Sequence, residues 1–321
     1  MSRVLIIGIT GMAGSHLAES YSARGWDVHG TVRERSSLQN LSGFGPLTLH
    51  QMDLNDPHAV NKVLLERFDV VHALAAVTLV PYSWECPSVT IDTNIKGMLN
   101  ILESIRRLPS MPVLHYSSSC EVYGRVLPEE VPVSESQPLR PSSPYAISKL
   151  AAEMLSKVYG DAYGFRCILT RAFNHTSVRR TGHFVSKTIC RQAAEISLGK
   201  RKEFSLGNLA AVRDWTDTRD ICRAYMLAVE RCDSGVPYNI CSGIGHSVAD
   251  LVSMACEIAG IGNRPAILDP SKLRPLDNLV LVGDGSRFAN ATGWKPLTGM
   301  REIMESIYRS ELSRIEGEKH A

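Results

Sequence analysis

Tyr145 and Lys149 stand four residues apart in Ser142-Ser143-Pro144-Tyr145-Ala146-Ile147-Ser148-Lys149. On a helix that spacing puts both side chains on one face. An ammonium group beside a phenol favours the phenolate, which makes tyrosine a usable base near neutral pH. Upstream, the run Ser117-Ser118-Ser119-Cys120-Glu121 offers hydroxyls, a thiol and a carboxylate. A hydroxyl there could hydrogen-bond a sugar hydroxyl together with Tyr145; the same run also reads as a Ser-rich turn. Near the start, Gly8-Ile9-Thr10-Gly11-Met12-Ala13-Gly14 has the pattern GxxGxxG. Gly8 permits a tight turn, Gly11 lets a pyrophosphate approach the backbone, and Gly14 lets the next helix pack close. Between a strand and a helix, this pattern predicts a dinucleotide site.

The elements that must position these groups follow from hydrophobic periodicity. Strands are predicted at Val4–Ile9, Val28–Val32, Leu47–Gln51, Val70–Ala75, Val113–Ser117, Cys167–Ala172 and Pro237–Cys241. Helical patterns cover Ser15–Arg24, His58–Phe68, Val89–Arg107, Tyr145–Tyr159, Gly182–Leu198, Arg219–Arg231, Ser247–Ala259 and Met300–Arg314. Near-continuous apolar strands separated by helices imply a parallel sheet covered on both faces. The expected fold class is therefore α/β: a doubly wound parallel Rossmann sheet with a smaller mixed α/β substrate-binding lobe. Residues 1–174 form the dinucleotide-binding part, with 212–241 returning to it. Residues 175–211 and 242–321 form the lobe. Ligands in such sheets bind at the carboxyl ends of the strands.

Composition narrows the function classes. Of 321 residues, 44% are apolar and 21% charged, as in ordinary globular proteins. Lys+Arg is 35 against Asp+Glu 33, so the net charge of +2 leaves no footprint for nucleic acid or an anionic membrane. The apolar start, Val4-Leu5-Ile6-Ile7, runs into a glycine turn with no small-residue cleavage site, and reads as a buried strand. The eight cysteines form no CxxC pair, and no His/Cys cluster has metal-ligand spacing, so no metal is expected. They read as free thiols of a reducing, cytoplasmic compartment.

The glycine turn, the strand-end serine and the YxxxK helix, in this order, resemble the extended short-chain dehydrogenase/reductase family. So do His72-Ala73-Leu74-Ala75-Ala76, Ser83, Pro87, Asn94, Arg171-Ala172-Phe173-Asn174-His175, Arg213-Asp214-Trp215, Asp217, Asp220, Arg274-Pro275 and Gly293-Trp294-Lys295-Pro296. Within that family, Phe173-Asn174-His175 followed by Arg179-Arg180 and Phe184-Val185 resembles GDP-mannose 4,6-dehydratases and deoxyhexulose reductases. The same holds for Leu206-Gly207-Asn208-Leu209 running into Arg213. Over the whole chain, the sequence is similar to the NAD-dependent UDP-N-acetylglucosamine 5,6-dehydratases of tunicamycin-type antibiotic biosynthesis.

The resemblance implies a lyase acting on a nucleotide sugar. Tyr145 takes a proton as C4–H leaves as hydride, the 4-ketone acidifies C5–H, and Glu121 removes that proton. An acid then helps the C6 hydroxyl leave as water. Hydride return to C4 would give a 5,6-ene exo-glycal of UDP-N-acetylglucosamine. The alternatives are a 4,6-dehydratase of a GDP- or UDP-hexose, with hydride returned to C6, and a 4-reductase or epimerase. Ser119, Cys120, Glu121, Tyr145 and Lys149 carry the catalysis in this reading. In 4,6-dehydratases the residue at Cys120 is often Asp, so the thiol is a departure.

The resemblance also assigns binding residues. For the cofactor these are Gly8, Gly11, Met12, Ala13, Gly14, Arg33, Asp53, Leu54, Leu74, Ala75, Ala76, Asn94, Ser117, Tyr145, Lys149 and Ala172. For the sugar nucleotide they are Thr78, Ser83, Ser119, Asn174, Phe184, Val185, Leu206, Arg213 and Arg274, with the arginines and Asn174 on the diphosphate. The second strand ends in Thr31-Val32-Arg33-Glu34-Arg35, with no acid at the strand end to bind a ribose 2′-hydroxyl, and Arg33 suits a 2′-phosphate. NAD is expected from the whole-chain resemblance, with NADP as the alternative. Helices Val89–Arg107 and Tyr145–Tyr159 correspond to those that pair in the family as a four-helix interface, which implies a homodimer.

Overall fold

Alternate residues of the first strand, β1 (Arg3–Ile7), enter two different cores. Val4 and Ile6 pack in one layer, and Leu5 and Ile7 in the other. A strand buried on both faces must be apolar throughout, because successive side chains point to opposite sides. The computed structural model describes all residues except 274, 275, 277 and 318–321.

Strand β1 lies inside a seven-stranded parallel sheet with β2 (Asp27–Val32), β3 (Thr48–Gln51), β4 (Val70–Ala73), β5 (Val113–Ser117) and β6 (Cys167–Ala172). The seventh strand is Pro237–Ile240, β10 in chain order, and the order across the sheet is β10-β6-β5-β4-β1-β2-β3. The order in which the chain adds strands reverses at β1. Ile7 pairs with Thr31 on one side and Ala73 on the other, so the carboxyl ends of these strands open together.

Helix α1 (Met12–Ala23) covers one face of the sheet, with α8 (Thr218–Arg231) beside it. Helices α2 (Pro57–Leu64), α5 (Gly97–Ile105) and α6 (Pro144–Tyr163) cover the other. Four buried side chains cross the sheet in a hydrogen-bonded row. Tyr21 Oη meets His72 Nε2 at 2.8 Å, His72 Nδ1 meets His115 Nδ1 at 2.8 Å, and His115 Nε2 meets Thr170 Oγ1 at 2.9 Å. Burial pushes His72 down to about 3. At the opposite end of the sheet, pairing of β2 with β3 brings His29 beside His50, and Glu66, just past α2, joins them in a group within 4.8 Å that is invisible in the spacing. Arg3 donates to His29 there, at 3.0 Å.

The predicted helix Val89–Arg107 is interrupted. After α3 (Val80–Glu85), α4 (Pro87–Ile91) runs into a π-helical turn at Asp92–Lys96 before α5 begins. The wider turn aims Asn94 inward, where it bonds both main-chain groups of Val77 and the Ser148 hydroxyl.

The third core belongs to α7 (Val185–Ser197), α9 (Val248–Ala259) and α11 (Met300–Gly317). They pack with Phe204 and Leu206 of β8 (Phe204–Leu206) and Trp215 of β9 (Val212–Asp217). β9 pairs with β7 (Asn174–Thr176), β11 (Gly245–Ser247) and β13 (Val280–Leu281), while β8 pairs with β12 (Ala266–Leu268). Of residues 212–241, α8 and β10 therefore join the large sheet, whereas β9 does not. Asp214 of β9 accepts from Ser242 N and Gly243 N, both at 2.8 Å, which holds that strand to the segment leading into β11. Among the described residues, no helix is long and apolar enough to cross a membrane.

Candidate active site

A continuous cleft of about 1630 Å³ runs along the carboxyl ends of the large sheet and under the third core. Typical small-ligand pockets are roughly 300–1,000 Å³, so this one has room for two ligands end to end.

At one end is the glycine turn. Gly8 has φ +95° and its α-carbon faces Ala75, so a Cβ there would sit 2.9 Å from Ala75 N. A Cβ on Gly14 would lie 2.2 Å from the Gly8 carbonyl oxygen. Helix α1 starts at Met12 with no side-chain cap and no acid in its first turn. Its amides are thus left for an anionic ligand. Gly11, Met12 and Ala13 line the cleft with Arg33, Asp53, Leu54, Leu74, Ala75 and Ala76. A cradle of this shape fits a dinucleotide pyrophosphate. Arg33 and Ser36 both face the cleft, and no acid stands at the end of β2.

In the middle, β5 ends at Ser117 and the chain turns sharply. Ser119 accepts from Glu121 N at 3.2 Å and caps a short 3-10 turn, Cys120–Tyr123. Gly124 closes that turn at φ +58°, where a Cβ would collide with the Arg140 carbonyl. Ser143 caps α6 by accepting from Ala146 N at 3.1 Å, and Pro144 occupies its first turn. Tyr145 and Lys149 are thereby both buried at the cleft with Ser117, Ser119, Cys120, Glu121 and Ala172.

Lys149 does not address Tyr145. Its ammonium donates to the Ser117 carbonyl oxygen and lies over the Tyr116 ring, 4.4 Å from the centroid. Burial pushes Lys149 down to about 7, against the opposing pull of Glu153. Burial also pushes the Tyr145 phenol up; a hydrogen bond to Ser119 and the charge of Arg180 oppose this, while Glu121 and Cys120 add to it. The expected pairing of Lys149 with the phenol is not the contact this structure shows: the ammonium is engaged by the Ser117 carbonyl. Burial and the neighbouring Glu121 hold the Cys120 thiol protonated.

At the far end, Thr78, Asn174, Phe184, Val185, Leu206 and Arg213 line the cleft. Two expected residues are not on its wall. Asn94 sits behind it, its amide spent on Val77 and Ser148. Ser83 is fully buried and donates to the Val80 carbonyl at 2.7 Å. Arg274 lies outside the described residues.

Three cleft residues stand in the motifs named above but were given no role there. Ser118 Oγ, Arg180 Nε and Trp215 Nε1 are buried without a hydrogen-bond partner, and all three residues line the cleft. Buried polar atoms are almost always paired, so an orphaned group of three marks a cavity built for a polar ligand. No spacing signal marks them; Arg180 is distinguished from Arg179 only by contacts. Arg179 bonds Glu19 and His16 of α1, and Arg180 turns into the cleft.

Comparison with known proteins gives a consistent picture. The family model described as GDP-mannose 4,6 dehydratase matches residues 5–307. The chain is 31% identical to the GDP-mannose 4,6-dehydratase of Vibrio cholerae serotype O1, covering 97% of this chain and 93% of that one. It is 29% identical to the GDP-6-deoxy-D-mannose reductase of Pseudomonas aeruginosa, covering 98% and 99%. Among solved structures, RMD from Pseudomonas aeruginosa complexed with NADPH superposes with a TM-score of 0.84 at 28% identity, over 98% of this chain and 100% of that one. The UDP-glucose 4-epimerase of Thermus thermophilus in complex with NAD gives 0.85 at 29% identity, over 96% and 98%.

Proposed function

The chain belongs to the GDP-mannose 4,6-dehydratase family, and we propose from that premise that it is a nucleotide-sugar dehydratase. It acts on C4, C5 and C6 of a hexose held beside bound NAD or NADP. The observation that carries this reading is the convergence of Ser119, Glu121 and Tyr145 on one cleft wall beside the glycine cradle.

A nicotinamide held in the glycine cradle would supply the hydride acceptor for C4–H and the donor for its return. Tyr145, hydrogen-bonded to Ser119, accepts the O4 proton, and gives it back to O4 only where the hydride returns to C4. A 4-ketone makes C5–H acidic, and the Glu121 carboxylate is the base beside it. Cys120, held as a neutral thiol, has a proton to give to the C6 hydroxyl as it departs. Arg213, with Asn174 and Arg274, takes the diphosphate, because arginine's fork matches phosphate oxygens. Residues 1–174 with 218–241 chiefly serve the cofactor, and 175–217 with 242–321 chiefly serve the sugar nucleotide.

Two fates of the hydride satisfy these residues. The names of the relatives support a GDP-hexose substrate and return to C6, which gives a 4-keto-6-deoxy sugar. Cys120 supports a second reading, because the site departs from the 4,6-dehydratase pattern at the residue assigned to C6. There, hydride returns to C4 of UDP-N-acetylglucosamine, leaving a 5,6-ene with its 4-hydroxyl restored. NAD suffices for either internal cycle; Arg33 and Ser36 are the groups through which a 2′-phosphate would be accepted.

A homodimer fits the surface of α6. Ile147, Met154 and Val158 are 49%, 59% and 60% exposed on its outer side, with Val89 and Ile91 of α4 nearby at 47% and 43%. Two such helical segments from each copy would make a four-helix contact.

Incubation with GDP-mannose and, separately, UDP-N-acetylglucosamine in deuterium oxide tests the assignment. A C6 methyl group with a 4-ketone identifies the 4,6 outcome. Vinylic C6 signals with an intact C4–H identify the 5,6 outcome. Inversion or reduction at C4 without loss of water overturns the dehydratase reading.

A further inference from the structure

Strands β2 and β3 form one edge of the large sheet, with β3 outermost. Their register pairs His29 with Thr48, two residues before His50, so the two imidazoles lie on the same face. His29 Nδ1 meets His50 Nε2 at 2.8 Å, and both rings pack edge-on against Phe68. Glu66 Oε1 lies 3.4 Å from His50 Nδ1. The side chains of His29, His50 and Glu66 are 5%, 12% and 44% exposed, so the facing nitrogens are shielded and the carboxylate side is open to solvent. Among the described residues, no other three His, Cys, Asp or Glu side chains come together in this way. The turn that carries Glu66 is fixed. Arg67 has φ +60°, a left-handed backbone uncommon outside glycine, and Arg3 donates to the main-chain carbonyls of both Glu66 and Arg67.

We propose that His29 Nδ1, His50 Nε2 and the Glu66 carboxylate bind one zinc ion, with water at its fourth position. Two imidazoles and a carboxylate suit zinc, which takes nitrogen and oxygen ligands in a tetrahedron. Zinc–nitrogen bonds at that angle hold the two nitrogens about 3.3 Å apart, so the rings need part by only roughly 0.5 Å. Glu66, being exposed, is free to turn one oxygen to the ion. The protons balance within the group. Arg3 donates to His29 Nε2, so the ring proton sits on Nδ1 and points to His50. Zinc takes the place of that proton, which moves to Nε2. Asp27 Oδ2, 3.1 Å away, accepts its hydrogen bond there. A carboxylate behind a ligating histidine is the usual support for such a ligand. Arg3 keeps Asp27 and the two carbonyls, on the edge of His29 away from the ion. Asp27 and Glu66 outweigh the Arg3 charge, which favours a divalent cation. The ion would clip β2, β3 and the turn after α2 together, just upstream of Thr31 and Met52 on the cofactor end of the cleft.

The test uses zinc and the full chain. Zinc is titrated against a chromophoric chelator, and long-range proton–nitrogen NMR follows the histidine rings. One equivalent should bind, and His29 should pass from the Nδ1–H to the Nε2–H tautomer as it does. His50→Ala should weaken binding by about 100-fold or more, since loss of even an outer partner costs up to that much. Glu66→Gln, at an exposed position, should weaken it by about 10-fold or more. If His50→Ala fails to fold, Glu66→Gln and the His29 tautomer decide. Zinc that binds equally well to the variants sits elsewhere, on a cysteine for example, and overturns the proposal. So does a His29 signal unmoved by one equivalent. Neither result touches the dehydratase reading, which is tested on the sugar nucleotides alone.

Discussion

Lys149 donates to the main-chain carbonyl of Ser117, on the neighbouring strand, and not to the Tyr145 hydroxyl on its own helix. The lysine therefore ties the carboxyl end of β5 to the start of α6, the two elements that carry the reacting groups. The bond is made by an ammonium group that burial pushes down to about 7.

That depressed value has a stability consequence. Between about pH 7 and the unfolded lysine value near 10.4, the unfolded chain binds more protons than the folded one, so stability rises with pH. Lys149→Met removes this dependence. Relative to the parent, the variant should be most favoured at or below pH 7, by an amount on the order of a few kcal/mol, with the advantage fading towards pH 10. Urea unfolding of both proteins at pH 6.5 and 9 checks this; a difference independent of pH refutes it.

Glu121→Gln isolates the base. The variant should still reduce its nicotinamide when given the sugar nucleotide, but should not exchange C5–H with deuterium oxide. Dehydration should fall by about 10²–10⁴-fold, the usual contribution of a positioned general base. Persistent C5 exchange would move the role to another residue.

Behind the site, Arg171 and Glu153 form a buried pair at 2.6 Å, and Arg171 also donates to Tyr123 Oη at 3.1 Å. Glu153→Gln leaves a buried guanidinium without its counter-charge, and should cost about 3–5 kcal/mol. Replacing both partners, as Glu153→Leu with Arg171→Met, should cost less than the sum of the two single changes. Denaturant unfolding of the four proteins in the cycle measures it.

Met154→Asp and Val158→Asp place charges on the exposed apolar side of α6. Sedimentation should show a dimeric parent and a monomeric double variant with its far-ultraviolet spectrum intact. A parent that sediments as a monomer removes the interface.

Much of this architecture was legible because burial on two faces forces apolar strands. Val113–Ser117 and Cys167–Ala172 were located to the residue. The glycine turn was legible for a similar reason, since only glycine fits against Ala75 and under the Gly8 carbonyl. The π-helical turn was not, because it follows from Asn94 reaching Val77 and Ser148, partners that only the folded chain supplies. Nor was Arg180: two adjacent arginines look alike until Glu19 claims one of them. The same limit applies to Lys149, whose spacing from Tyr145 is helical, but whose proton goes across to a strand.

The buried row Tyr21–His72–His115–Thr170 has a polarity. A neutral imidazole donates through one nitrogen and accepts through the other. If Tyr21 donates to His72, then His72 must donate to His115, and His115 to Thr170; if Thr170 donates, every link reverses. The tautomers of both histidines are thus a single two-valued property of the sheet interior. An apolar replacement at one position strands a donor or an acceptor somewhere else along the row. A single replacement among the four is therefore penalised where a matched set need not be, which couples the four positions energetically even though they lie on four separate elements.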